Sequence, residues 1–185
     1  MTNNIIAHNC VGGRICQQIG VEYGNPFMWS IIPPTDFYYL YTHYNDLNYN
    51  NIKLEKVNTD YKLTIDDKVR VFYVHYKYDK NANTPVKKTK IDVFYNKIEE
   101  YILEKYDTRL ARMKEAPLFI VTDREFPTKP ENNFKKEDLL KYVDKKDCLV
   151  VTTDKMIKGD NVVYVKSKKL DPEEIAKIII KERNL

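Results

Sequence analysis

Apolar segments of strand length alternate with amphipathic segments of helix length from residue 91 to residue 185. The runs Leu118–Thr122 and Cys148–Thr152 are rich in β-branched residues, and a third run spans 161–165, which is typical of buried strands. The intervening sequence predicts helices at 91–115, 134–143 and Pro172–Arg183. Because parallel strands need long crossover connections, this alternation predicts an α/β fold with a mostly parallel sheet.

The first half of the chain predicts further strands and two short helices. Gly12 and Gly13 indicate a tight turn between a strand at 4–8 and a helix at 14–19. A Pro-Pro pair starts a second helix that runs to residue 41. Strands are predicted at 27–32, 52–57, 61–65 and 69–76, and the polar loop 78–90 is the best candidate for a mobile lid. We therefore expect a single three-layer α/β/α domain over 1–185 with a mixed, mostly parallel sheet.

Composition narrows the class of protein. No apolar run approaches the ~18 residues of a membrane span, and the N-terminus lacks the features of a secretory signal. The cysteines (Cys10, Cys16 and Cys148) form an odd, sparse set, so a reducing compartment, the cytoplasm, is expected. Richness in Lys, Asn, Ile and Tyr indicates a genome low in G+C, either a bacterium or a large DNA virus in its host's cytoplasm. A net charge of +4 is too mild to indicate nucleic-acid binding.

Candidate binding residues are densest where the first predicted strand ends and a helix begins: His8, Asn9, Gly12 and Gly13. In open α/β sheets, ligands bind at the carboxyl ends of the strands, and a following helix offers free N–H groups to an anion. Cys10 is a candidate nucleophile, because a helix N-terminus and Arg14 would lower its pKa, with His8 as its base. The alternative is that Gly12-Gly13 is only a turn and Cys10 a small buried residue.

Three further groups carry candidate chemistry. His75 ends an apolar strand beside the polar loop and is a candidate general base, or else a structural histidine. Asp123 and Arg124 directly follow a buried strand, where a carboxylate acts as a base or holds a sugar hydroxyl; the alternative is a helix cap or an internal ion pair.

Arg109 and Arg112 are neighbours on one helix face and could bind phosphate, or else form surface salt bridges with Asp107 or Glu115. No motif predicts a metal site.

Six short motifs occur in an order that resembles a bacterial domain family of unknown function, found among exopolysaccharide and capsule biosynthesis proteins. Some members of that family are labelled acetyltransferases. Val11 and Tyr106 stand where the family pattern has an aromatic residue and a Trp. The resemblance covers about 4–155 and leaves a C-terminal strand and helix at 161–183 outside it. The motifs are Asn9-Cys10-x-Gly12-Gly13, Asn25-Pro26-Phe27, Pro34-x-Asp36, His75-Tyr76, Tyr106-x-x-Arg109-x-x-Arg112 and Asp123-Arg124.

The resemblance implies an enzyme of surface-glycan biosynthesis that transfers an acetyl group from acetyl-CoA to a sugar or a nucleotide-linked amino sugar. His75 or Asp123 would deprotonate the acceptor, and the arginines would hold the phosphates of coenzyme A or of a nucleotide sugar. Two alternatives remain open at this point. One is a glycosyltransferase-like enzyme that uses a nucleotide sugar, and the other is a non-catalytic glycan-binding protein.

Overall fold

A computed structural model describes residues 4–57, 60–73, 88–113, 116–124, 130–167 and 169–185, with the backbone alone for 88–97. The described residues form seven strands: β1 Ile5–Ala7, β2 Ile52–Val57, β3 Asp60–Ile65, β4 Val69–Tyr73, β5 Leu118–Thr122, β6 Cys148–Thr152 and β7 Val162–Tyr164. The same parts of the chain form five α-helices: α1 Val11–Ile19, α2 Pro34–His43, α3 Lys88–Leu110, α4 Lys136–Leu140 and α5 Pro172–Arg183. A 3₁₀ turn covers Pro130–Asn132.

The strands form two sheets. β1, β5, β6 and β7 make a four-stranded sheet in that order, and every neighbouring pair is parallel. β2, β3 and β4 make a three-stranded antiparallel sheet. The β3–β4 hairpin turns through Asp66 and Asp67, both with positive φ, as a tight hairpin turn requires. The mixed α/β class is confirmed, but the strands are divided between two sheets rather than joined in the one mixed sheet expected.

The segment at residues 31–32 connects the two sheets. Ile31 exchanges two backbone hydrogen bonds of 2.8 Å with Phe72 of β4. The next residue, Ile32, donates its N–H to the carbonyl oxygen of His8 at 2.9 Å, just beyond β1. The antiparallel sheet is therefore held beside the edge of the parallel sheet at the end where β1 finishes.

Side chains alternate in direction along the parallel strands and so divide the hydrophobic core into two clusters. Ile5, Ala7 and Ile120 belong to a cluster that includes residues of α1 and α5. Ile6 and Phe119 point the other way, into a larger cluster with α2, the antiparallel sheet and the described end of α3. Successive strand residues face opposite sides, so each strand supplies both clusters, which explains its nearly continuous apolar sequence.

Several predicted boundaries differ from the structure. The helix expected at 14–19 begins at Val11, so the glycine pair lies in its first turn and not in a tight turn before it. The expected strand at 27–32 is mostly turn, with a single bridge at Ile31. The helix expected at 134–143 is shortened to α4, whereas α5 matches its predicted bounds. The helix expected at 91–115 runs instead over 88–110. Most of the predicted lid lies outside the described residues.

In the described part of the chain, no helix is both long enough and apolar enough to cross a membrane. The longest helix, α3, carries charged residues throughout its sequence.

Candidate functional site

The carboxyl ends of the parallel strands gather polar residues at one edge of the sheet. His8 and Asn9 follow β1, Asp123 follows β5, and Thr153 follows β6. All of these strands run the same way, so their ends meet at one edge, which is where ligands bind in open parallel sheets. We call this set of residues the carboxyl edge.

The Asp123 carboxylate is fixed through one of its two oxygens. Oδ2 accepts hydrogen bonds of 2.9 Å from the Thr152 hydroxyl, the Thr153 hydroxyl and the Thr153 N–H. Oδ1 accepts none from any residue that the structure describes, and it is not sealed from solvent. The residue itself is only 6% exposed. The carboxylate is therefore held in one orientation with a single oxygen left for another donor.

Asn9 links β1 to β5 and bonds to the first turn of α1. Its Nδ2 donates to Thr122 Oγ1 at 3.1 Å, and its Oδ1 accepts the Val11 N–H at 3.0 Å. The second bond fills one of the free N–H groups at the start of the helix, a common use of Asn. Thr122 Oγ1 also accepts the Arg124 N–H at 3.2 Å. Asn9 and Thr122 together fix the backbone where it leaves β1 and β5.

His8 lies beneath this network and is fully buried. Its ring packs 4.4 Å from that of Phe134 and 6.0 Å from that of Phe37, measured between centroids. Its Nε2 lies 3.1 Å from Asn9 Nδ2, an amide donor, which favours a neutral ring that accepts at Nε2. Burial, and secondarily the charge of Arg124, lowers the pKa of His8 to about 3. The imidazole is therefore neutral at physiological pH. It packs beneath the carboxyl edge as a buried structural group.

Cys10 is 8% exposed and begins α1. Burial raises the pKa of its thiol to about 11, although the positive charges of Arg124 and Arg14 lower it in part. The expected lowering by the helix N-terminus and Arg14 is outweighed, because taking a thiolate out of water costs more than these charges return. At neutral pH, Cys10 is a thiol, which is a poor nucleophile.

Arg124 extends from the carboxyl edge towards the segment before α5. Its Nε donates to the Leu170 carbonyl oxygen at 3.0 Å, and the side chain is partly buried. Burial lowers the pKa of Arg124, whereas Cys10 and Asp171 raise it. The electrostatic coupling with Cys10 shows that the two sequence-predicted residues are near each other, at the ends of β1 and β5.

Gly12 and Gly13 serve close packing. A Cβ on Gly12 would lie 3.2 Å from the Ile5 carbonyl oxygen, and a Cβ on Gly13 would lie 2.8 Å from Cε2 of Trp29. The glycines thus let α1 approach β1 on one side and the indole on the other. Their N–H groups donate to no described residue, so binding of a ligand there stays a prediction.

Arg109 and Arg112 pack against the loop after α1. Arg109 is 8% exposed, lies 5.3 Å from the Tyr23 ring centroid and donates from Nη1 to the Met28 carbonyl oxygen at 3.3 Å. Arg112 Nε lies 3.6 Å from a carboxylate oxygen of Glu22 rather than of Asp107, and Glu115 lies outside the described residues. No contact among the described residues joins either arginine to Asp123 or Cys10.

A stack of cations and rings runs from Arg109 back to the start of α1. Tyr23 and Trp29 meet edge to face at 5.9 Å, and the guanidinium of Arg14 lies 5.0 Å from the Trp29 ring centroid. Trp29 has φ 65°, which costs a bulky residue on the order of 1 kcal/mol. Neither Trp29 nor its backbone strain was predicted from the sequence, because no local pattern indicates a positive φ at a Trp residue.

The structure thus brings together five of the predicted site residues, namely His8, Asn9, Cys10, Asp123 and Arg124. His75 lies outside the described residues, so its role stays a prediction. Sequence reasoning missed Thr122, Thr152 and Thr153, whose hydroxyls organise the edge. The sequence did contain a signal for them, because each of the apolar runs Leu118–Thr122 and Cys148–Thr152 ends in Thr and is followed by a polar residue.

The comparison with known proteins covers the first half of the chain. Residues 1–93 match the model of DUF1919, a domain of unknown function. The match includes β1, α1 and the antiparallel sheet, whereas Asp123 and Arg124 lie beyond it. No curated protein matches the chain in sequence. Since the family model spans half of its residues, the chain belongs to the DUF1919 family.

Proposed function

We propose that the carboxyl edge binds a sugar or nucleotide-linked sugar and transfers to it an acetyl group from acetyl-CoA. The observation that carries the proposal is that only one oxygen of the Asp123 carboxylate accepts hydrogen bonds from the described residues. Its Oδ2 is held by three donors, while its Oδ1 is open to a ligand. A carboxylate fixed in this way can accept the proton of a hydroxyl or amine without first reorienting.

The reaction needs one base and one leaving group. Asp123 Oδ1 takes the proton from the acceptor hydroxyl or amine as its oxygen or nitrogen attacks the thioester carbonyl carbon. The carbon–sulfur bond breaks, and coenzyme A leaves as a thiolate that takes up a proton. Arg124 attracts the phosphates of the ligand in this proposal, since a guanidinium binds phosphate in a fork. The protonated thiol of Cys10 argues for direct transfer without an acyl-cysteine intermediate.

The wider setting rests on the motif resemblance. Surface-polysaccharide biosynthesis in the cytoplasm, a single three-layer α/β/α domain, and phosphate binding by Arg109 and Arg112 all remain parts of the proposal. A nucleotide-sugar enzyme that does not use acetyl-CoA is the second candidate. It is favoured by the proximity of Arg124 to the edge, because a diphosphate needs such a partner.

A thermal-shift panel of acetyl-CoA, coenzyme A and common nucleotide sugars tests the proposal. A ligand that binds only the folded chain, supplied at 100 times its dissociation constant, adds about 2.7 kcal/mol to the free energy of unfolding. Stabilisation by both acetyl-CoA and a sugar ligand supports acetyl transfer. Stabilisation by nucleotide sugars alone moves the assignment to the second candidate. No stabilisation by any member contradicts both and favours a non-catalytic glycan-binding protein.

A further inference from the structure

A cavity of about 400 Å³ opens beside the first turn of α2. Pro34 and Thr35 line one wall, Arg70 and Phe72 of β4 line another, and the segment around the 3₁₀ turn closes the third. None of its lining residues belongs to the carboxyl edge. We call this cavity the α2 cleft. Its volume lies within the range of small-molecule sites.

Asn132 lines the α2 cleft with a side-chain amide that is available to a ligand. The residue is 3% exposed, yet its side chain makes no hydrogen bond with any described residue. Its amide atoms are not sealed from solvent, so they face the cleft rather than a closed interior. A ligand in the cleft can therefore hydrogen-bond to this amide without displacing a partner among the described residues.

The start of α2 adds unfilled donors. Pro33 and Pro34 have no N–H, and the Phe37 N–H is the first to bond back, to the Pro33 carbonyl oxygen at 2.8 Å. The Thr35 N–H, which precedes it, donates to no described residue. The helix is ten residues long, so its dipole places partial positive charge at this end.

Arg70 is oriented towards the same cleft by Asp36. Its Nε and Nη2 donate to the two carboxylate oxygens at 2.7 and 2.8 Å, and its backbone N–H donates to Oδ2 at 2.8 Å. This bidentate pairing uses one side of the guanidinium and leaves Nη1 with no described partner. A side chain held in this way loses little conformational entropy when it binds an anion.

The remaining charges at the cleft are Lys135, Glu131 and Asp138. Asp138 Oδ1 pairs with Lys141 at 2.9 Å, and its Oδ2 accepts the Lys135 N–H at 3.2 Å, so both oxygens are used. Lys135 and Glu131 are exposed, with no side-chain ion pair among the described residues. The Glu131 carboxylate opposes a bound anion, whereas the Asn132 amide, Arg70 Nη1 and the Lys135 ammonium favour one.

We propose that the α2 cleft binds the phosphate group of a small ligand. The Thr35 N–H, the Asn132 amide, Arg70 Nη1 and the Lys135 ammonium supply donors, while Phe72 and Pro34 offer an apolar wall to the rest of the ligand. The shared chemistry is a phosphate, either free or carried as a monoester. The inference does not depend on acetyl transfer at Asp123, because the two sites share no residue.

Titration of the ¹⁵N-labelled chain with inorganic phosphate, glucose 1-phosphate and glucose tests the proposal. We expect saturable shifts of the Thr35 backbone amide and the Asn132 side-chain amide with both phosphates and none with glucose. Tighter binding of glucose 1-phosphate assigns the cleft to a monoester, and equal binding assigns it to free phosphate. Absence of saturable shifts with either phosphate overturns the proposal.

Charge variants separate this site from general attraction of anions. Lys135→Gln should weaken phosphate binding about tenfold, since a charge-assisted hydrogen bond is lost. Lys146→Gln is the matched control, because it removes the same charge from an exposed lysine outside the cleft and should change binding little. Equal weakening by both variants contradicts the proposal. Asp123→Asn should keep full phosphate binding, so failure of the acetyl-transfer proposal leaves this test intact.

Discussion

Oδ2 of Asp123 lies 2.9 Å from the hydroxyl oxygen of Thr152, so the last residue of one parallel strand fixes the first residue beyond its neighbour. The contact spans 29 positions of sequence and orients the carboxylate at the edge of the sheet. Because the remaining bonds to this oxygen also come from donors just after β6, one carboxylate oxygen ties the ends of β5 and β6 together.

Replacement of Asp123 should distinguish its structural oxygen from its open one. Asp123→Asn can place its carbonyl oxygen at Oδ2 and keep all three bonds, so it should cost less than about 1 kcal/mol of the free energy of unfolding. Asp123→Ala leaves the buried hydroxyl of Thr152 and the half-buried donors of Thr153 without an acceptor and should cost about 2–4 kcal/mol. Urea unfolding measures both values. Equal losses would mean that the oxygen at Oδ2 does not hold the strand ends.

Stability should fall in acid because His8 is buried and neutral. Burial lowers the pKa of His8 to about 3 from its ordinary value of 6.5. Between these pH values, the unfolded chain binds a proton that the folded chain does not. The free energy of unfolding should therefore fall as pH decreases below 6.5, with a contribution from His8 of about 1.4 kcal/mol per pH unit.

A ring substitution isolates this contribution from that of other acid-titrating groups. His8→Phe keeps a ring between Phe37 and Phe134 and should flatten the pH dependence by about that slope. His43→Phe, which replaces an exposed histidine at the end of α2, is the matched control for the change of side chain. Identical curves for His8→Phe and the wild type would contradict a neutral buried His8.

The cysteines should resist alkylation in the folded chain. All three are buried, and burial raises the pKa of both Cys10 and Cys16 from 9.0 to about 11. Iodoacetamide at pH 8 should label none of them during the time in which it labels all three in urea, as followed by intact mass. Rapid labelling of Cys10 in the folded state would instead indicate an accessible thiolate.

The same thiols predict a loss of stability in alkali. Between about pH 9 and pH 11, the unfolded chain releases thiol protons that the folded chain keeps. The free energy of unfolding should therefore decrease as pH rises through this window. Cys10→Ala should remove part of that decrease, which urea unfolding at several pH values measures.

Gly13 should tolerate no side chain while Trp29 is present. A Cβ at this position would lie 2.8 Å from the indole Cε2, so Gly13→Ala should cost about 1–3 kcal/mol of the free energy of unfolding. In a Trp29→Ala background, the same change should cost less than half as much, because the clashing ring is gone. A double-mutant cycle measures this coupling, and additive costs would contradict the contact.

The sequence predicted the parallel strands better than the first helix. β5 and β6 have their predicted bounds because unbroken apolar, β-branched runs favour buried strands. Gly12 and Gly13 suggested a turn because glycine disfavours helices. Their place within α1 instead follows from tight packing against β1 and Trp29, contacts that no local pattern reveals.

The polar residues of the site were predictable in part. His8, Asn9 and Asp123 stood out because they lie at the ends of strands, whereas Thr152 was counted only as the last residue of its predicted strand. The raised pKa of the Cys10 thiol depends on how the surrounding chain buries it, so its sequence neighbours gave the wrong direction. No sequence pattern indicated Asn132, because its burial and its lack of a hydrogen-bond partner among the described residues arise from the tertiary structure.

The rate of coenzyme A release from acetyl-CoA, in the presence of the sugar acceptor selected by the thermal-shift panel, tests the central claim most directly. Asp123→Asn should lower kcat about 100-fold or more, within the range expected for loss of a general base, and should leave the melting temperature near that of the wild type. Asp154→Asn, which changes an aspartate just beyond β6 that pairs with Lys136, is the matched control and should retain most of the wild-type rate. Wild-type turnover by Asp123→Asn would contradict the account.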